Sequence, residues 1–259
     1  MDVTAVLAAD TPFPPSVEDI FTPGIGGSVW LTKFSLMVWF AVALLIVFFL
    51  VAYRKPQLVP TRTQWLAESA YGFVREGVTR EVIGAEGVRF APYLATLFCF
   101  LFVTNIFGVI PPLQVSPNSH IAFPIVLAVV SWVLFIYLGI RRHGLLKYLK
   151  INLIPDAPVA LLPLLIPIEF FSTFILRPIT LSLRLFANMF AGHMLLLVFT
   201  LGGFTLLGAS NIALKGVSLL SFAMAIILTL FELVVAVLQA YVFVILTASY
   251  VQGALASDH

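Results

Sequence analysis

FSLMVWFAVALLIVFFLVAY, residues 34 to 53, is twenty residues long and contains no charged side chain. A helix of that length is about what the hydrocarbon core of a bilayer demands, at roughly 1.5 Å per residue across about 30 Å. Ile121 to Ile140 is a second uncharged tract of the same length. The 259 residues are 61% hydrophobic and 10% charged, against about 25% charged in an ordinary soluble domain. The reading is an all-α polytopic membrane protein with about five transmembrane helices, placed at about 30–53, 90–113, 121–140, 157–201 and 216–252. An interfacial amphipathic helix is expected over about 62–89, where Trp65, Phe73, Val74, Val78 and Val82 alternate with charges of both signs.

Residues 1–29 carry Asp2, Asp10, Glu18 and Asp19 but no Lys or Arg, so the basic start of a signal peptide is missing and an acidic external segment is expected. Residues 30–259 form one membrane domain. Cytoplasmic loops carry the excess of Lys and Arg. Ten of the fourteen Lys and Arg fall in the stretches after the tracts 34–53 and 121–140 that this rule puts inside, two (Lys33 and Lys215) fall outside, and Arg177 and Arg184 lie within the membrane. The N-terminus is then outside and the C-terminus cytoplasmic, a pattern that fits a bacterial plasma membrane.

The net charge of +2 and the scattered basic residues exclude a nucleic-acid surface. No GxxxxGK[ST] loop is present, so no direct nucleotide binding is expected. The lone Cys99 has no second thiol, and HExxH is absent, so neither a disulfide, a metal site nor a cofactor is implied. Membrane lipid is the one partner that composition alone requires.

The last hundred residues hold most of the intramembrane polarity: Glu169, Arg177, Arg184, His193 and Glu232, with the amides Asn188 and Gln239. The tract 157–201 is long enough for nearly two crossings, with prolines in its first half, and reads as one long bent helix or two short ones. A turn is expected in LGGFTLLGASN, residues 201–211, joining it to 216–252 as a hairpin. A charge at the centre of a membrane helix costs about 2.5–3.5 kcal/mol on insertion scales, so such groups face a partner or water. Helical spacing lines up Thr180, Arg184 and Asn188 on one face, with Arg177 on roughly the same side. Thr229, Glu232 and Gln239 share a face of the other helix, and the two stripes are candidates for one water path. His193, nine residues after Arg184, points the opposite way, to a different surface on which Glu232 is its candidate partner. Arginine stays charged at any physiological pH, whereas histidine and carboxyl groups take up and release protons. Arg184 is therefore a fixed charge, and His193 and Glu232 are the candidate relay.

RPITLSLRLFANMFAGH (177–193), FELVVAVLQAYVFVILTASYV (231–251) and NIFGVIPP (105–112) together resemble the a subunits of the rotary F-type ATP synthase. That resemblance implies a stator with two offset half-channels passing protons to and from the carboxyl groups of a rotating c-subunit ring, held by b-type peripheral stalk subunits. It implies that Arg184 is the arginine that strips an arriving ring carboxyl of its proton and blocks a direct leak. Asn188 and Gln239 match positions near that arginine, and His193 and Glu232 match the pair lining the outer half-channel. Glu169 stands one position earlier than the family pattern has its acidic residue. The competing expectation is a stand-alone secondary transporter, for which inverted repeats would speak.

Overall fold

The computed structural model describes residues 32–110, 115–153 and 161–256. The acidic segment 1–29 lies outside these, as do the Pro111-Pro112 pair and the prolines at 155 and 158. Among the described residues the secondary structure is entirely helical: α1 (Lys33–Ala52), α2 (Arg62–Val74), α3 (Ala91–Ile106), α4 (Ala122–His143), α5 (Leu145–Leu153), α6 (Leu162–Phe171), α7 (Arg177–Leu207) and α8 (Ile212–Leu255), with short π and 3-10 segments between them. Five helical stretches are long and apolar enough to cross a membrane: Lys33–Ala52, Ala85–Ile106, Ala122–His143, Leu162–Leu207 and Ile212–Leu255. The chain is a multi-pass membrane protein.

Local chemistry sets the helix ends. Thr32 and Thr61 cap α1 and α2 by accepting the backbone N–H of Ser35 and Gln64. Asn211 does the same for α8 through Ala213 N–H at 3.0 Å. Helix α4 stops at Gly144, whose φ of 78° suits a residue without a Cβ. Arg141, Arg142 and His143 fill its last turn, where positive charge complements the helix dipole.

Two stretches differ from the sequence expectation, and in a third the reading as one long helix holds over the reading as two short ones. The amphipathic segment 62–89 is not one helix: α2 passes into a π-helical stretch, Arg75–Ile83, that ends at Gly84 with φ 90°, and the 3-10 turn Ala85–Phe90 already leads into α3. The tract from 162 is one continuous helical run to Leu207, 46 residues long, in which the π segment Ser172–Leu176 joins α6 to α7. Pro178 has no N–H for the carbonyl four residues earlier, and a widened turn is how a helix absorbs such a loss. The hairpin turn is confined to the last part of 201–211, because Gly202 and Gly203 stay helical and buried inside α7. Gly203 is there for close approach: a Cβ on it would stand 3.0 Å from the Phe222 ring of α8. Ser218 and Ser221 reinforce this seam by donating to the carbonyls of Gly203 and Phe199, both at 2.7 Å.

Helix α8 has 44 residues, about 66 Å at 1.5 Å per residue, roughly twice the hydrocarbon thickness. It is too long to lie upright within the hydrocarbon, and it packs against α3, α4 and above all α7. Its buried edge, Ala236, Ala240, Val244, Thr247, Ala248 and Val251, is mostly small. Small side chains let membrane helices approach closely, which replaces the hydrophobic drive that lipid does not supply. The main core joins this edge to Leu181, Leu185 and Met189 of α7, to Leu94, Leu97 and Leu101 of α3, and to Val74 and Val78.

Candidate functional site

Four-residue steps on an α-helix return to nearly the same face but drift by about 40° each time. On α7 the series Leu181, Leu185, Met189 and His193 is buried throughout. The neighbouring series begins outside with Thr180 and Arg184, which are exposed, and continues through Asn188 and Gly192, which are half-buried. The drift carries this polar line from the outer surface of the hairpin into the seam with α8. At the seam end it meets Glu232: a Cβ on Gly192 would lie 3.0 Å from the Glu232 carboxyl oxygen. The glycine makes room for that carboxyl group.

Arg184 therefore stands on the outer face, among the exposed apolar residues Leu183 and Leu195 of α7, and α8 adds Leu230, Phe231, Val234 and Leu238 as exposed apolar residues. Among the described residues no ion pair is made to it, so neither Glu169 nor Glu232 is its counter-charge. Thr180 turns its hydroxyl back on its own helix, to Leu176 C=O at 2.8 Å. The stripe of α8 faces the other way: Thr229 is half-buried, and Glu232 and Gln239 are buried. The two stripes thus do not form facing walls along their whole length; they converge at Gly192 and Glu232. Burial by side-chain partners, not helical period alone, decides which way each stripe looks.

His193 and Glu232 are both buried, and no hydrogen bond or ion pair joins them. His193 Nδ1 and Glu232 Oε2 have no hydrogen-bond partner among the described residues. A cavity of about 140 Å³ borders His193 and Thr229, closed on the other side by Gly108 and Val109 just beyond α3. That volume has room for several water molecules, and its lining offers them polar groups.

At the opposite end of α7, the guanidinium of Arg177 lies over the Tyr250 ring, 5.3 Å from its centre. Such a stack satisfies a cation where no carboxylate is at hand. Glu169 is half-buried near the end of α6, with the π segment between it and Arg177.

Sequence reasoning missed a buried amide network. Asn105 of α3 donates to Ala236 C=O of α8 at 3.1 Å, and Asn118 donates to Asn105 Oδ1 at 2.7 Å and Thr104 Oγ1 at 2.9 Å. Ser116 donates to Thr104 C=O at 3.0 Å. These bonds fasten the segment 115–119 and α3 to α8 one turn beyond Glu232. The available signal was Asn105 itself, an amide inside an apolar tract. Asn118→Ala leaves two buried acceptors without their donor, at a cost of about 1–3 kcal/mol. A lower thermal unfolding midpoint of the purified complex is expected; an unchanged midpoint would show the network to be dispensable.

A membrane cation with no counter-charge among the described residues, beside a buried histidine and carboxyl group, defines a class: a multi-pass membrane protein equipped to handle ions. The family model for the ATP synthase A chain matches residues 35–252. "ATP synthase subunit a" of Frankia alni is 46% identical, over 99% of this chain and 91% of that protein. The proteins of the same name from Nocardioides sp. and Streptomyces lividans are 41% and 40% identical over 95% and 100% of this chain and 94% and 96% of theirs. The chain belongs to the ATP synthase A chain family, the proton-channel subunits of the F-type ATP synthase.

Proposed function

We propose that this chain is the stator half of a proton-driven rotary motor, working against a ring of small subunits that each carry one membrane carboxyl group. The observation that carries this is Arg184, unpaired among the described residues, on the exposed apolar face of the hairpin. Lipid leaves a guanidinium there without partners; a passing ring carboxylate supplies one. Asn188 and Gln239 line the approach to that contact.

Protons enter from outside through the cavity beside His193 and Thr229 and are handed by His193 and Glu232 to a ring carboxylate. The neutralised carboxyl group travels through lipid for almost a full turn. On reaching the far side of Arg184 it releases its proton toward the end marked by Arg177, Tyr250 and Glu169. The fixed charge of Arg184 separates the two half-channels. One elementary charge crossing the membrane gains about 2.3 kcal/mol per 100 mV, so several protons act together for each ATP. The chemistry of ATP belongs to a separate catalytic sector, and this chain binds no nucleotide. A peripheral stalk of b-type subunits keeps it from turning with the ring.

The excess of Lys and Arg after α1 and α4 supports an N-terminus outside and a cytoplasmic C-terminus in a bacterial plasma membrane. The test is isolation from native membranes in mild detergent. Small, highly apolar subunits that react with a carboxyl-modifying reagent are expected to co-purify. Isolation of the chain alone, with a transport activity of its own, would return the secondary transporter to first place.

A further inference from the structure

On the side of the molecule away from the hairpin, α1 and α3 stand apart along half of their length. The groove between them holds about 800 Å³, lined by Leu45, Phe49 and Leu50 of α1 and by Thr96 and Cys99 of α3, with Arg54 at its rim. It continues past Val42 and Phe100 at one end and reaches Tyr71 of α2 at the other. Thr96 spends its hydroxyl on Pro92 C=O at 2.8 Å, so apart from the weak Cys99 thiol, and the Tyr53 phenol beside Arg54 at the rim, the walls are apolar. Beyond Val42 the groove ends, because Met37, Ala41 and Phe107 are buried together and close α1 onto α3.

The twelve residues from Val42 to Tyr53, eleven steps of the helix, rise about 16 Å. That is one leaflet, half of the roughly 30 Å hydrocarbon core. A transmembrane helix would need a groove through both leaflets, and Met37, Ala41 and Phe107 block it. An acyl chain needs one leaflet only. At the open end the guanidinium of Arg54 makes no ion pair or hydrogen bond among the described residues. Lys55 lies in the same connection and Arg62 opens α2, against the single carboxylate of α2, Glu68, which already accepts the Gln64 amide at 2.7 Å. The charge at this rim is therefore positive, at the level of lipid phosphates.

We propose that the groove between α1 and α3 is a binding site for one anionic phospholipid, its acyl chains between the helices and its phosphate on Arg54. The lipid fills the gap and fixes α1, which touches the rest of the chain through few buried residues: Phe34, Met37, Ala41 and Ala52.

The complete complex is reconstituted in phosphatidylcholine vesicles containing a trace of phosphatidylglycerol with a photoactivatable diazirine midway along one acyl chain. After illumination, labelled peptides are mapped by mass spectrometry. Label is expected on 42–50 and on 96–99, displaced by unlabelled phosphatidylglycerol but not by phosphatidylcholine. Arg54→Gln should lower it about fivefold, the effect of one basic residue at the membrane surface, and Arg54→Lys should retain it. Equal labelling by a phosphatidylcholine probe, failure of the anionic competitor, or persistence of full labelling in Arg54→Gln would overturn the proposal. So would absence of label together with cross-linking of Leu50→Cys to a neighbouring subunit. The competition on the unmodified complex decides the matter even if the variants assemble poorly.

Discussion

Arg184→Ala is expected to abolish ATP-driven proton pumping in membrane vesicles while passive proton leak through the complex persists or rises. The guanidinium stands on the exposed face of α7 with no counter-charge among the described residues. A ring carboxylate about 4 Å from it gains about 4 kcal/mol at an effective dielectric constant near 20, close to a thousandfold in the balance between charged and neutral carboxyl. With alanine there, the carboxyl keeps its proton as it passes and the ring turns without releasing it to the correct side. The barrier between the half-channels disappears as well, so protons cross without doing work. Arg184→Lys is a sharper control than alanine. Lysine keeps a positive charge but lacks the rigid fork of donors and loses its proton far more readily in an apolar setting. Pumping well below the unmodified level is expected for it.

Glu232→Gln should have the second largest effect, and with the opposite signature in the leak. Glutamine keeps the shape and the packing against Gly192 but cannot carry a proton. Both pumping and passive flux should fall, by about a hundredfold or more if the step resembles other positioned proton transfers. The two variants are thus told apart by leak: preserved for Arg184→Ala, lost for Glu232→Gln. Parallel measurement of ATP hydrolysis by the intact complex shows whether the ring is still engaged. Normal passive flux in Glu232→Gln would mean that protons enter by a route that avoids this carboxyl group.

The membrane architecture was legible because the bilayer imposes a length and a polarity on each span, and those are properties of composition. Phe34 to Tyr53 needs no partner to be read as a crossing. The turn after α7 was harder: Gly202 and Gly203 look like a break, whereas both are buried inside α7 and Gly203 lies against the Phe222 ring. Gly84 broke a helix that the hydrophobic pattern carried straight through, since periodicity says nothing about a backbone with φ of 90°. Within the candidate site, spacing correctly put Arg184 and His193 on opposite sides of one helix. It did not tell which side was covered. That depends on α3 and α8, and hence on contacts far apart in sequence, such as Asn105 to Ala236. The pairing of Arg177 with Tyr250, 73 positions away, was invisible for the same reason.

The most direct test of the stator reading is which face of α7 touches the ring. In a Cys99→Ser background, single cysteines are placed at Leu183 and Ala187, which are exposed beside Arg184, and at Met189, which is buried at 1% exposure. Each is paired with a cysteine one turn from the ring carboxyl and oxidised in native membranes. Leu183→Cys and Ala187→Cys are expected to form a disulfide with the ring subunit, and Met189→Cys is not. Cross-linking from Met189, or none from Leu183 and Ala187 while both still react with a membrane-soluble maleimide, would mean that Arg184 faces lipid and that the ring lies elsewhere.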